Sequence, residues 1–88
     1  MTGAGVAALE ELATALDPRE FAAILVTGRE QRPCLTVTHR ITRVTEDIYA
    51  DRSTYWWSWA QPITVTSDPL AAAHRVTAFL RADPGARP

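Results

Sequence analysis

The sequence contains no lysine, a single cysteine and no long apolar run, and each absence argues against a class of protein. Nine basic residues, all arginine, face ten acidic residues, so the net charge of −1 supplies no field toward nucleic acid or an anionic membrane. Cys34 alone cannot form an internal disulfide, which favours a reducing compartment. Neither a signal peptide nor an apolar run of the roughly 20 residues that cross a bilayer is recognisable. We therefore expect a cytoplasmic protein with no membrane partner.

The length of 88 residues predicts one domain, 1-88, because single cores grow well beyond this size before a chain divides. Hydrophobic residues make up 47% and charged residues 22%, a balance typical of a folded globular protein. The core is expected to cover about 6-82, with loose ends at 1-5 and 83-88.

Two segments have the spacing of amphipathic helices. The first runs from Val6 and ends near Leu16. The second begins where Asp68 at an N-cap precedes Pro69 at the first helical position. Its apolar stripe consists of Leu70, Ala73, Val76, Phe79 and Leu80. Asp17 and Pro18 repeat the same capping pattern, and this predicts a further short helix that covers Phe21.

The middle of the chain has the pattern of an antiparallel sheet. From Cys34 the period is two, which places Leu35, Val37, His39 and Ile41 on one face of a strand. Further strands are expected at 46-50 and 55-60, with a turn at 51-54, and Pro62 ends the sheet. The run 24-26 fits either the end of a helix or a short strand. The fold class is therefore α+β, a three- to four-stranded meander with N-terminal helices and a C-terminal helix on one face.

The most informative segment is the aromatic strand around Trp57. Strand geometry sends Tyr55, Trp57 and Trp59 toward the core and leaves Trp56 on the outer face beside Tyr49. Exposed aromatic rings are enriched in binding hot spots, so Tyr49 and Trp56 are the leading contact residues. A register shift of one residue would expose Trp57 and Trp59 instead, and these two are kept as candidates.

A locally basic stretch supplies a second kind of candidate. Arg29, Arg32, Arg40 and Arg43 lie between 29 and 43 together with His39. Arg40 or Arg43 could hold an anionic group while an exposed tryptophan stacks on a ligand. Such a basic stretch is more often a solvated loop and strand edge. Electrostatic binding of nucleic acid requires a larger basic excess over the whole domain, so nucleic acid is not the favoured partner.

No set of residues has the spacing of a catalytic, metal or cofactor site. His39 and His74 have no cysteine or carboxylate at metal-ligand spacing beside them. Cys34 and His39 lie five positions apart, so on one extended strand they occupy opposite faces and cannot form a dyad. An enzyme that uses Cys34 or His39 is a remote alternative. The sequence predicts no catalytic residues, no metal and no cofactor.

The segment Val44-Tyr49, the aromatic run Tyr55-Ile63 and the helix start Asp68-Ala73 together resemble small uncharacterised proteins of GC-rich actinomycetes. The resemblance covers roughly 17-80, and the exclusive use of arginine fits a GC-rich coding bias. It implies an accessory or regulatory role and carries over no activity and no site residues. We expect a non-enzymatic interaction module that docks on another protein or on a second copy of itself; the alternative is a small-ligand or nucleic-acid binder.

Overall fold

The computed structural model describes residues 4–28 and 32–82, in which two helices pack against a five-stranded antiparallel sheet. The elements in chain order are α1 (Ala4–Ala15), β1 (Phe21–Val26), β2 (Cys34–His39), β3 (Thr45–Ala50), β4 (Thr54–Trp57), β5 (Pro62–Val65) and α2 (Pro69–Arg81). Spatial order equals chain order, β1-β2-β3-β4-β5, and each strand pairs antiparallel with the next. The α+β class is confirmed, whereas the expected three to four strands are five. None of the described helices has the length and apolar character needed to cross a bilayer.

The core lies between the two helices and one face of the sheet. Its fully buried side chains include Leu9 and Leu12 from α1, Leu35 and Ile48 from the sheet and Leu80 from α2. They form one continuous cluster, as expected for a domain of this size. Neither of the two described helices packs on the opposite face of the sheet, and that face positions the candidate site.

Both long helices begin and end close to where the sequence predicts. The Asp68 carboxylate caps α2 by accepting a hydrogen bond from the Ala71 backbone N–H at 3.1 Å. Leu70, expected in the apolar stripe, is 65% exposed, and Ala72 is buried instead. The buried stripe of α2 therefore consists of Ala72, Ala73, Val76 and Leu80.

The short helix predicted after Asp17 is wrong. The Asp17 carbonyl accepts the backbone N–H groups of Glu20 and Phe21, and its carboxylate accepts that of Arg19, which makes a single turn. β1 then begins at Phe21, because the Glu20 carbonyl accepts the Arg40 N–H of the neighbouring strand. The whole segment pairs in register with β2, so the run 24-26 is strand.

The ends of the strands differ from the expected ones in two places. Ile41 was expected on the buried face of β2, but the strand ends at His39 and Ile41 is 83% exposed in the turn that follows. The aromatic strand ends at Trp57, and Ala60 has a positive φ of 64° that turns the chain back. Pro62 therefore begins β5 and does not end the sheet.

Candidate docking surface on the open sheet face

The face of the sheet away from the helices presents a pair of aromatic rings. Tyr49 and Trp56 are directly opposite each other in the β3–β4 ladder, and both side chains are partly exposed. Their strand neighbours Tyr55 and Trp57 are buried in the core at 0% and 7% exposure. The structure therefore has the first of the two registers considered and brings Tyr49 and Trp56 together.

A turn fixes the orientation of the Trp56 indole. Asp51 Oδ1 accepts the backbone N–H groups of Ser53 and Thr54, each at 2.8 Å, which closes the β3–β4 turn. Asp51 Oδ2 accepts the Trp56 Nε1–H at 2.9 Å. The backbone N–H of Ser53 contributes most, and the Trp56 indole next, to lowering the pKa of Asp51 from 3.8 to about 2. The carboxylate is therefore ionised at neutral pH and holds the ring in one orientation.

Arg32 completes the site from the segment before β2. Its guanidinium carbon lies 5.2 Å from the centroid of the Tyr49 ring, within the range of a cation–π contact. We call Arg32, Tyr49 and Trp56 the aromatic patch. It borders an open depression of about 560 Å³ whose lining residues are Arg32, Tyr49, Asp51, Trp56, Trp57, Ser58 and Ala60.

Arg32 was not among the residues predicted to bind. Continuing the β2–β3 register places Cys34 opposite Tyr49, and Arg32 lies just before this position. That relation could have been found by extending the meander register into the basic stretch. The sequence pattern directed attention to Arg40 and Arg43 because they flank the predicted strand.

The structure does not bring Arg40 and Arg43 to the aromatic patch. Both lie around the β2–β3 turn, at the end of β2 opposite to Cys34, about 17 Å along the strand. Arg40 is exposed and its Nε donates to the Pro18 carbonyl at 3.0 Å. Arg43 has a positive φ of 64°. Neither can share a ligand with Trp56, and Arg29 lies outside the described residues.

Trp59 lies on the helix side of the molecule and is 45% exposed there. Its ring is parallel to that of Trp57, with centroids 5.1 Å apart, and also contacts Phe79. The expectation that Trp59 is part of the core is wrong, because the strand ends before it and the loop carries the ring to the outside of Trp57. Trp57 itself is buried.

The rest of the open face is mixed in character. Thr36 donates to Asp47 Oδ1 at 2.8 Å, and the hydroxyls of Thr38 and Thr45 are 2.9 Å apart. These cross-strand pairs satisfy polar groups between β2 and β3. Apolar side chains are exposed on this face at the aromatic patch, at the β1 side and at Val65 of β5.

The remaining chemical candidates are separated in the structure. Cys34 is buried, and the two ring nitrogens of His39 are bonded to the Glu20 carboxylate and to backbone N–H groups. His74 is exposed on α2. Between residues 4–28 and 32–82, no three His, Cys, Asp or Glu side chains are grouped so that they could hold a metal ion.

Comparison with known proteins adds no assignment. No family model, no curated protein and no solved structure matches the chain. The resemblance to actinomycete proteins therefore stays a prediction, and function has to be argued from the aromatic patch itself.

Proposed function

We propose that this protein is a non-enzymatic interaction module that docks on another protein through the aromatic patch. The observation that carries the proposal is the pairing of Tyr49 and Trp56 on a sheet face that neither described helix covers. Aromatic residues and arginine are the side chains most enriched at the centres of protein interfaces. Here the two rings lie on paired strands, and Arg32 lies over the Tyr49 ring from the segment before β2.

Preorganisation supports the same proposal. The indole N–H of Trp56 is already bonded to Asp51, and the Tyr49 ring is in contact with Arg32. A partner that covers these rings therefore orders few side chains on binding, which lowers the entropic cost of association. The cross-strand pairs Thr36–Asp47 and Thr38–Thr45 offer a polar border to the same face. A buried aromatic centre with a polar border is the usual anatomy of a protein interface.

The biological setting belongs to the proposal as well. We place the module in the cytoplasm as an accessory or regulatory partner, following the single cysteine and the resemblance to actinomycete proteins. A docking surface without catalytic groups suits a protein whose effect depends on what it binds.

The test compares captured partners between matched variants. A Tyr49→Ala/Trp56→Ala double variant removes both rings from the open face, and Leu70→Ala removes a more exposed apolar side chain from the helix side. Each protein is immobilised, exposed to cytoplasmic extract of the producing cell, and the bound proteins are quantified by mass spectrometry. We expect a partner retained by the wild type and Leu70→Ala and lost by the double variant.

Direct titration of that partner completes the experiment. Loss of one interface hot spot costs about 2 kcal/mol or more, so the double variant should bind at least about thirtyfold more weakly. Circular dichroism and thermal unfolding verify that the double variant is folded. A partner that binds the folded double variant with unchanged affinity overturns the proposal.

A small ligand is the second candidate, and the depression beside Trp56 favours it. An aromatic ligand could stack on the exposed indole while Arg32 contacts an anionic group. The ionised Asp51 in the same depression repels anions, which is why we rank this candidate second. Titration with mononucleotides, RNA and DNA at low salt, followed by tryptophan fluorescence in the wild type and Trp56→Phe, decides it. Unchanged emission in the wild type removes the ligand candidate.

A further inference from the structure

β1 is an edge strand made only of apolar residues. It occupies one end of the sheet order, and its sequence is Phe-Ala-Ala-Ile-Leu-Val. Natural edge strands are usually short, bulged, or protected by charged residues or proline. β1 has six residues, pairs in continuous register with β2 and carries none of these protections. Such an edge is a template for a further strand.

The register identifies which backbone groups face outward. The Arg40 N–H donates to the Glu20 carbonyl at 2.9 Å, so Glu20 points toward β2. Antiparallel ladders alternate, so Ala22, Ile24 and Val26 also bond β2. The N–H and C=O groups of Ala23 and Leu25 then point away from the sheet. Within the described part of the chain, no strand pairs with them.

The side chains beside this edge are also apolar and accessible. Ile24 is 63% and Val26 38% exposed on the open face of the sheet. On the helix side, a groove of about 310 Å³ runs along the same edge. It is lined by Ala13, Leu16, Pro18, Phe21, Ala22, Ala23, Ile24 and Arg40. Apolar surface therefore flanks the unpaired backbone on both sides.

The opposite edge of the sheet shows the protections that β1 lacks. β5 has four residues, begins with Pro62, and skips Ile63 in its pairing with β4. Thr66, which follows it, is bonded back to the β3–β4 turn. Only one of the two edges is thus suited to pair with another chain.

We propose that β1 pairs antiparallel with β1 of a second copy of this chain. The two-fold axis passes beside Ala23, so that Ala23 faces its own counterpart and Phe21 faces Leu25 of the other copy. In this register the N–H and C=O of Ala23 pair with those of Ala23 in the other copy, and the Leu25 N–H donates to the Phe21 carbonyl. The Phe21 N–H stays bonded to the Asp17 carbonyl of its own copy. An identical strand fits because the pattern is self-complementary, as a two-fold interface requires, and because β1 carries no charge that would repel its copy.

The dimer forms one continuous sheet across both copies and brings Ile24 of each close to Ala22 of the other on the open face. The aromatic patch shares no residue with β1. The inference therefore stands independently of the proposed docking function. It also implies that the dimer presents two aromatic patches on one extended sheet face.

The first test is the mass in solution. Multi-angle light scattering of the wild type is expected to give twice the chain mass of 9.7 kDa. Ala23→Pro removes an outward N–H without touching the bonds to β2, and Ile24→Lys places a charge on the exposed edge. Each should weaken dimerisation at least about tenfold. Val65→Lys places the same charge on an exposed position of β5, the protected edge strand. This variant and Tyr49→Ala/Trp56→Ala are the controls, and both should remain dimeric.

Amide hydrogen exchange locates the interface. In the wild-type dimer we expect slow exchange at Ala23 and Leu25 as well as at Ala22, Ile24 and Val26. In Ile24→Lys the amides of Ala23 and Leu25 should exchange fast. The amides of Ala22 and Val26, which are bonded to β2, should stay protected. This pattern also shows that the variant is folded.

Three results overturn the proposal. One is a wild type that stays monomeric at about 1 mM, where even weak self-association is populated. Another is a dimer that survives both β1 variants. The last is fast exchange of Ala23 and Leu25 in the wild type, which would leave the edge for a strand of a different protein.

Discussion

The His39 imidazole donates from Nε2 to the Glu20 carboxylate at a distance of 2.8 Å. Its other nitrogen, Nδ1, accepts the backbone N–H groups of Ile41 and Thr42, so the neutral tautomer with the proton on Nε2 fits the bonds. Glu20 also accepts two hydrogen bonds from Arg81 at the end of α2. One carboxylate thus connects the start of β1, the end of β2 and the last helix.

Acid is expected to weaken this connection. The pKa of Glu20 is lowered from 4.5 to about 2, chiefly by the hydrogen bond from Arg81. Partial burial raises the pKa and opposes this shift, and the hydrogen bond with His39 lowers the pKa further. Because the folded-state pKa lies below the unfolded one, ionised Glu20 stabilises the fold above about pH 4.5, and this stabilisation is lost as the pH falls toward 2. We expect Glu20→Gln to lower the free energy of unfolding at pH 7 by about 1 to 2 kcal/mol, a value reduced for the 62% exposure of the Arg81 side chain.

Urea unfolding of the wild type and Glu20→Gln between pH 7 and pH 2 measures this effect. The difference between the two proteins should shrink as the pH falls. Glu10→Gln changes an exposed carboxylate on α1 and serves as the control, with little effect at any pH. A difference that stays constant down to pH 2 would mean that the charge of Glu20 is not what stabilises the fold.

Alkali is expected to act at Tyr55. Its hydroxyl is buried and donates to the Ala8 carbonyl at 2.6 Å, and burial, assisted by the charge of Glu11, raises its pKa from 10.0 to about 12. A folded-state pKa above the unfolded one stabilises the fold below about pH 10, and this stabilisation is lost as the pH rises toward 12. Tyr55→Phe should cost about 1 kcal/mol at pH 7 and reduce the loss of stability between these pH values. Denaturant unfolding at pH 7 and pH 11 checks this, with Tyr49→Phe on the open face as control.

The parts of the fold that the sequence predicted are those set by local chemistry. Asp68 before Pro69 has a capping function that depends on adjacent residues only, and α2 begins there. The alternation from Cys34 likewise predicts β2, because one buried face imposes a period of two. The adjacency of Tyr49 and Trp56 followed from a short turn between two strands, which fixes their register.

The parts that the sequence missed depend on distant residues. Asp17 and Pro18 have the same local pattern as Asp68 and Pro69, but the backbone after Asp17 is bonded by Arg40 across the sheet and becomes strand. Here the pairing with β2 across the sheet overrides the local preference for a helix. Arg32 was missed for a related reason, since its contact with Tyr49 exists only once β2 and β3 are paired.

Gly5 is expected to be intolerant of a side chain. A Cβ built on Gly5 would lie 2.5 Å from the backbone oxygen of Ala50, a contact that requires α1 to move away from β3. Alanine is the better helix former by up to about 1 kcal/mol, so propensity alone predicts that Gly5→Ala stabilises the protein. We expect the clash to prevail and the variant to lose about 1 kcal/mol or more. Thermal unfolding measures the sign, and Ala7→Gly, at an exposed position of α1, calibrates the propensity effect.

The bond between Asp51 and the Trp56 indole can be removed without opening the β3–β4 turn. In Asp51→Asn the amide oxygen can still accept the N–H groups of Ser53 and Thr54, but the amide nitrogen cannot accept the Trp56 Nε1–H. The turn should therefore persist while the indole becomes free to rotate. We expect the Trp56 Nε1–H signal to shift in nitrogen–proton NMR spectra, with the Trp57 and Trp59 signals nearly unchanged.

Binding through the aromatic patch should respond to the same substitution. If the fixed orientation of Trp56 contributes to docking, Asp51→Asn weakens binding of a captured partner by several fold, since ordering one side chain costs about 0.5 to 1.5 kcal/mol. Wild-type binding should persist at pH 4, because the pKa of Asp51 is about 2 and the carboxylate is still ionised there. Affinities of the wild type and Asp51→Asn, each measured at pH 7 and pH 4, distinguish the loss of the Asp51–Trp56 bond from other effects of acid on the protein. Wild-type affinity in Asp51→Asn would show that the indole needs no orienting partner.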